Sequence, residues 1–337
     1  MLFISCTDVK EGPLLKKPIP SLTGRTIRCI LFDLGNTLWF RKDLAVWHQV
    51  KNTSNVRAAT LLRQLMSPIS LPDSTDIALG QRLRDATDEQ IRMLIRQNPA
   101  LEPDCGHVIV QVLQQWGING VSHASGAAIF EALRVRIPES RPLFDDVLST
   151  LRTLQQRGFQ LGIVTNRHWG GALFQEDLQE LGLLSFFDPR HIAVSIDLGI
   201  RKPNPAIFLH TLNALDIPPT EAVMVGDSLS ADIAGGKGLG LYTIWKPNPD
   251  VQRQAQLIAT GATVAANSTL ALSECLKGNR SDDLPRGLPI ADDDYVLAHV
   301  QGRAGKWDQH AQDDIKPDLI IENISELLNI FTEVGVL

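Results

Sequence analysis

Short unbroken apolar runs alternate along the chain with longer stretches in which apolar residues recur every three or four positions. Ile30, Leu31 and Phe32 form one run, ending at Asp33 and a Gly-Asn turn. Leu161, Ile163 and Val164 form another, ending at Thr165-Asn166; Ile192 to Val194 follow, then Ala222 to Val225 running into Gly226-Asp227. Tyr242 to Ile244 and Leu319 to Ile321 complete the set. A short continuous apolar run predicts a strand covered on both faces. Between the runs lie helical stripes: Val147, Leu148, Leu151 and Leu154, closed by Gly158; Leu173, Phe174, Leu178 and Leu181; Ile207, Phe208, Leu212 and Leu215, opened by Pro205; and Ile233 to Leu239. Pro142 is expected to start the first of them. A last stripe, Ile324, Leu327, Leu328 and Phe331, begins at a capping-box pattern of Asn323 and Glu326.

Strands alternating with helices predict an α/β fold with a doubly wound parallel sheet and right-handed crossovers. Residues 41–140 interrupt it. Val56, Ala59, Leu62, Leu65 and Met66 recur at helical spacing, as do Leu79, Leu83, Ala86, Ile91, Leu94 and Ile95. Val108 to Leu113 fit strand or helix equally, and Ala128, Ile129, Leu133 and Val135 predict a helix ended by Pro138. The expected organisation is an arm over 1–27, a core over 28–40 and 141–337 with a loop insertion at about 246–315, and a helical unit over 41–140. Within the insertion, residues 278–314 are expected to be a surface loop dispensable for the core.

The chain has 337 residues, of which 44% are apolar and 21% charged, with a net charge of −6. That apolar share excludes a long disordered protein. No apolar run approaches the ~18 residues that suggest a bilayer span. The acidic balance argues against a nucleic-acid role, which needs clustered Lys and Arg. Cys6, Cys29, Cys105 and Cys275 are widely spaced without a CxxC, so they read as reduced thiols. The N-terminus MLFISCTDVKEGP lacks a basic start and a long apolar run, which points to the cytoplasm.

Candidate chemistry collects at the carboxyl ends of the strands, where open parallel sheets bind ligands. Asp33 ends the first, Thr165-Asn166 the second; Lys202 follows the third in GIRKPNPAIF; Asp227 ends the fourth, with Asp232 beyond it in VGDSLSAD. This ordered set resembles the haloacid dehalogenase-like hydrolase superfamily, most of whose members are magnesium-dependent phosphatases. The resemblance covers roughly residues 28–40, 141–250 and 315–337. It implies a Rossmann-like core with a helical cap inserted after the first strand. By it Asp33 is the nucleophile that forms an aspartyl-phosphate, Thr165 (with Asn166) holds phosphoryl oxygens, and Lys202 neutralises charge. Mg²⁺ is expected on Asp33, the Gly35 backbone carbonyl, Asp227 and Asp232. A carboxylate attacking a phosphate dianion needs positive charge nearby, which a cation and a lysine supply. The expected substrate is a small phosphomonoester; nothing in the sequence bears on oligomeric state.

Two adjacent positions depart from the family pattern. The acid two residues past the nucleophile is replaced by Gly35, and Asn36 stands where the family usually has Gly. Loss of a general acid/base costs typically ~10²–10⁴-fold. Two other readings therefore stand beside the phosphatase: a metal-independent dehalogenase using the same Asp33, against which Asp227 and Asp232 argue, and a catalytically weak binding or regulatory protein, which Gly35 favours. Arg167 and His168 read as loop residues or substrate contacts, Trp39 and Phe40 as packing residues or an entrance, and Asp292 to Asp294 as a solvated acidic loop.

Overall fold

The computed structural model describes residues 24–41, 44–66, 75–248, 316–332 and 335–336. The N-terminal arm before residue 24, almost all of the 246–315 insertion, its 278–314 loop, Asp292 to Asp294, Cys6 and Cys275 lie outside the described residues.

A two-residue strand, β1 (Thr26–Ile27), precedes β2 (Cys29–Phe32). Five helices follow: α1 (Leu44–Met66), α2 (Asp76–Gln97), α3 (Cys105–Gln115), α4 (His123–Ala132) and α5 (Ile137–Ser140). The alternation then resumes with α6 (Val147–Gln156), β3 (Gln160–Thr165), α7 (Gly171–Glu180), β4 (Ile192–Val194), α8 (Ser195–Leu198), α9 (Pro205–Leu215), β5 (Ala222–Gly226), α10 (Ala234–Gly238) and β6 (Tyr242–Trp245). It closes with β7 (Leu319–Ile320), α11 (Leu327–Ile330) and β8 (Gly335–Val336). Six strands form one parallel sheet in the order β4-β3-β2-β5-β6-β7, and β1 pairs antiparallel with β8 apart from it.

Strand β2 is central, and its side chains alternate between two cores. Ile30 and Phe32 pack with Leu151, Phe174, Phe187 and Leu327 on one face. Cys29 and Leu31 pack with Ile207, Phe208 and Leu212 of α9 on the other. An apolar residue at every position is what two covered faces require. Pro205 occupies the first turn of α9, and Asn204 caps it by accepting from Ala206 N at 3.0 Å. The capping box of Asn323 and Glu326 is formed. Pro142 does not start α6: its carbonyl accepts from Phe40 N, and the neighbouring Leu143 bridges Trp39. The segment is extended because it lines the loop after β2, and the helix waits until Val147.

Helices α1 to α4 have a core of their own. The Val108–Leu113 stretch is helical, because it packs there rather than in the sheet. The apolar stripe of α1 is narrower than its sequence suggests. Leu65 is exposed and Val56 half-buried, while Ser54 and Asn55 are buried. The cause is Arg84 of α2, which inserts into the bundle and donates to Asn55 Oδ1 (2.6 Å), Ser54 Oγ (2.7 Å) and Leu133 O (2.6 Å). A buried guanidinium needs such acceptors. Gly80 lets the two helices approach: a Cβ there would lie 2.0 Å from Asn55 O.

Candidate active site

The parallel register puts the ends of β2, β3 and β5 side by side. Asp33 N donates to Val225 O at 2.9 Å, which holds Asp33 at the carboxyl edge. Lys202 reaches it from the loop after α8. Its Nζ donates to Asp33 Oδ1 (2.7 Å) and Val164 O (2.7 Å), and lies 2.6 Å from Asp232 Oδ1. Burial works to lower the Lys202 pKa, but Asp232 and Asp33 outweigh it and hold the ammonium above its usual value. Asn166 positions the same lysine residue by bonding both sides of its backbone: Oδ1 accepts from Lys202 N (2.8 Å), and Nδ2 donates to Lys202 O (3.1 Å). Thr165 is buried at the end of β3, beside this lysine's carbonyl anchor.

Asp33, Asp227 and Asp232 each present a carboxylate oxygen within 4.8 Å of the others. A π-helical turn, Leu229–Ile233, carries Asp232 back toward Lys202, and Ser228 N donates to its Oδ2 at 3.0 Å. Gly226 leaves the required space, because a Cβ there would lie 2.2 Å from Asp232 Oδ2. Burial first, and then repulsion from Asp33 and Asp232, push the Asp227 pKa well up. Burial also raises Asp232, to about 6, against the opposing pull of Lys202. Two buried carboxylates and the half-buried Asp227 face one ammonium, so all three cannot ionise together without further positive charge. A hard divalent cation with oxygen ligands fits that donor set.

Gly35 lies beside the other oxygen of Asp33. A Cβ on Gly35 would sit 3.8 Å from Asp33 Oδ2 and meet nothing else within 4 Å. Its backbone is outside the left-handed region; the positive φ falls on Asn36, at 53°. That explains why a Gly position accepts Asn, the side chain that best tolerates this conformation. Asn36 also does something a glycine cannot, donating from Nδ2 to Asp227 Oδ2 at 2.8 Å.

Trp39 is fully buried and Phe40 packs on Phe144, so both are packing residues. Arg167 stacks over Trp39 and Phe174. His168 Nδ1 pairs with Glu102 Oε1 at 2.5 Å. Glu102 and Cys105 form a second cluster with His168. Arg201 lies 2.5 Å from Glu102 Oε2, so a cation there would face the guanidinium charge. A cavity of about 470 Å³ flanks this cluster, lined in part by Glu102, Phe130, Arg134 and Trp169 but by none of the Asp33 group.

Three residues of the region were missed by the sequence reading. Lys246, just past β6, donates to Asn36 O (2.9 Å) over the Phe144 ring. Glu102 and Arg201 meet only through tertiary packing; Arg201 was adjacent to Lys202 in plain view, whereas Glu102 had no legible motif.

The haloacid dehalogenase-like hydrolase family model matches residues 27–240. The chain belongs to the haloacid dehalogenase-like hydrolases. It is 41% identical over 102 residues to a glyceraldehyde 3-phosphate phosphatase of Methanopyrus kandleri, covering 30% of this chain and 42% of that protein. It is 39% identical over 106 residues to a ribulose-1,5-bisphosphate 5-phosphatase of Halopiger xanaduensis, covering 32% and 43%. The chain thus spans less than half the length of these curated relatives. A 2-haloacid dehalogenase of Pseudomonas syringae has the same fold, with a TM-score of 0.50 and 20% identity over 91% of this chain and 98% of that one. Among the described residues no helix of this hydrolase is long and apolar enough to cross a membrane.

Proposed function

We propose that the protein is a Mg²⁺-dependent phosphatase of small phosphomonoesters that works through a phosphoaspartyl intermediate on Asp33. The observation that carries this reading is the Asp33 carboxylate held by Lys202 within a three-carboxylate cluster at the carboxyl edge of the sheet. Similarity to two phosphatases supports it.

Lys202 holds the Asp33 carboxylate through Oδ1, and one of the carboxylate oxygens attacks. It bonds to phosphorus as the bond from phosphorus to the leaving oxygen breaks, and the leaving group departs with that electron pair. Water then attacks the phosphoaspartate and returns the carboxylate with inorganic phosphate. Lys202 offsets the negative charge gathered on nucleophile and phosphate. Thr165 supplies a hydroxyl donor to the phosphoryl oxygens, and Asn166 fixes the backbone that carries the lysine. Asp33, Asp227, Asp232 and the Gly35 carbonyl would hold Mg²⁺, which would supply further positive charge beside the phosphoryl group. Position 35 supplies no proton, so the site favours leaving groups that depart as stabilised anions.

The helical unit over 41–140 acts as the cap. It contacts the loop preceding Lys202 through Leu101 and Ile200, and its closure shields the site from bulk water. The test is a phosphatase screen over a metabolite panel with Mg²⁺ and with excess chelator. Turnover only with Mg²⁺ is expected. Full activity on a haloacid in chelator would replace this reading with the dehalogenase.

A further inference from the structure

The segment joining α2 to α3 leaves the helical unit and runs along the core loop that leads to Lys202. Arg201 N donates to Ala100 O (3.0 Å), Glu102 N donates to Gly199 O (3.1 Å), and Leu101 bridges Ile200 in antiparallel fashion. Glu102 then sends its carboxylate inward, where it is 1% exposed. Oε1 meets His168 and Oε2 meets Arg201, each at 2.5 Å; those side chains are 7% and 3% exposed. His168 stands three residues past Thr165, and Arg201 immediately precedes Lys202. One carboxylate from the helical unit therefore clamps both core loops that carry the candidate catalytic side chains. Ser195 ties the same region together, accepting from Arg167 N (2.8 Å) and donating to Arg167 O (3.1 Å).

Buried ion clusters seldom contribute net stability over apolar packing of the same volume, because desolvation offsets the attraction. Their directional bonds do fix geometry. Burial raises the Glu102 pKa, but His168 and then Arg201 outweigh it and hold the carboxyl below its ordinary value, so it is ionised at neutral pH.

We propose that Glu102 is a positioning residue that sets the Thr165–Asn166 and Lys202 loops in register when the helical unit is docked. The inference rests on the phosphatase reading for its kinetic consequence and not for its structural one. Displacing a catalytic group by about 1 Å can cost on the order of 10²-fold in rate.

The experiment compares the full-length wild type with Glu102→Gln by amide hydrogen exchange and by steady-state turnover of p-nitrophenyl phosphate with Mg²⁺. Exchange over 166–169 and 199–202 is expected to accelerate while β5 stays protected. Turnover kcat is expected to fall roughly tenfold or more with KM nearly unchanged, the signature of a transition-state interaction lost. Unchanged exchange in both loops overturns the proposal. A second variant, Glu102→Met with Arg201→Met, leaves neither member of that ion pair buried alone, removes only the Glu102 partner of His168, and is expected to fold, as its thermal unfolding midpoint checks. Positioning predicts that its kcat stays low and its loops stay loose; recovery of both to wild-type values shows a merely stabilising role and overturns the proposal. A wild type with no turnover overturns the phosphatase reading alone, since the exchange comparison still decides the role of Glu102.

Discussion

At position 35 the chain carries a hydrogen atom where the family pattern has a carboxylate, and the surroundings leave room for a Cβ there. A Cβ there meets only Asp33 Oδ2, at 3.8 Å, and the backbone needs no glycine. Aryl phosphates, which leave as phenolates, should therefore turn over much faster than alkyl phosphates, which leave as basic alkoxides. Gly35→Asp should narrow that gap by raising the alkyl rate, by up to the ~10²–10⁴-fold a general acid supplies. Equal wild-type rates on the two classes would show that another group donates the proton. Asp33→Asn tests the nucleophile itself. The amide is nearly isosteric but a poor nucleophile, so turnover should vanish while the unfolding midpoint changes little; a folded variant with wild-type rates rules out the covalent route. On the proposed Mg²⁺ site, added Mg²⁺ should raise the thermal unfolding midpoint and Asp227→Ala should remove that rise, because a hard-cation ligand would be lost; an equal rise in the variant would take Asp227 out of the site.

Between α1 and α2, close packing is decided by a glycine and by the buried Arg84 guanidinium. Gly80 lets α1 and α2 approach until a methyl group there would overlap the Asn55 carbonyl. Gly80→Ala should destabilise the protein by about 1–3 kcal/mol in urea unfolding, the range of overpacking strain, despite the better helix propensity of alanine. An unchanged or raised midpoint would mean that α1 shifts freely. The same contact explains a misleading periodicity. Val56 and Leu65 fit the helical stripe of α1, yet Ser54 and Asn55 take the buried positions because Arg84 needs acceptors there. Strands were easier to read than these helices. Every residue of β2 is apolar because both faces are covered, and that pattern depends on no particular partner.

Across the whole molecule, charge buried beside the site sets a pH dependence. Lys246 lies 2% exposed between Asn36 O and the Phe144 ring. Burial lowers its pKa from 10.5 to about 8, with Asp227 and Asp146 opposing. Between pH 8 and 10.5 the unfolded chain thus binds more protons than the folded one. Stability contributed at this position rises with pH across that window, and the cost of burying the ammonium is fully felt below pH 8. Unfolding free energy of the wild type relative to Lys246→Met should therefore climb from pH 8 to 10.5; a flat or falling difference would show that the ammonium stays protonated in the fold.

The order of the six strands of the parallel sheet, most of the helices between them, and the placement of Asp33, Thr165, Asn166, Lys202, Asp227 and Asp232 toward its carboxyl edge were legible from the chain alone; β1, β8 and the helical state of Val108–Leu113 were not. Those features are written by local periodicity and, for Asp33, Thr165, Asn166 and Asp227, by side chains that follow directly on strand ends, where backbone geometry leaves little choice of place; Lys202 comes from beyond α8 and Asp232 from the π-helical turn. The convergence of Lys202 on both Asp33 and Asp232, the bond from Asn36 to Asp227, and the reach of Glu102 to His168 and Arg201 were settled only in three dimensions. Glu102 and Arg201 are 99 residues apart. No periodicity links positions so distant, because their pairing depends on how a helical unit with its own core docks against a sheet, and that docking is fixed by shape and desolvation rather than by any local pattern.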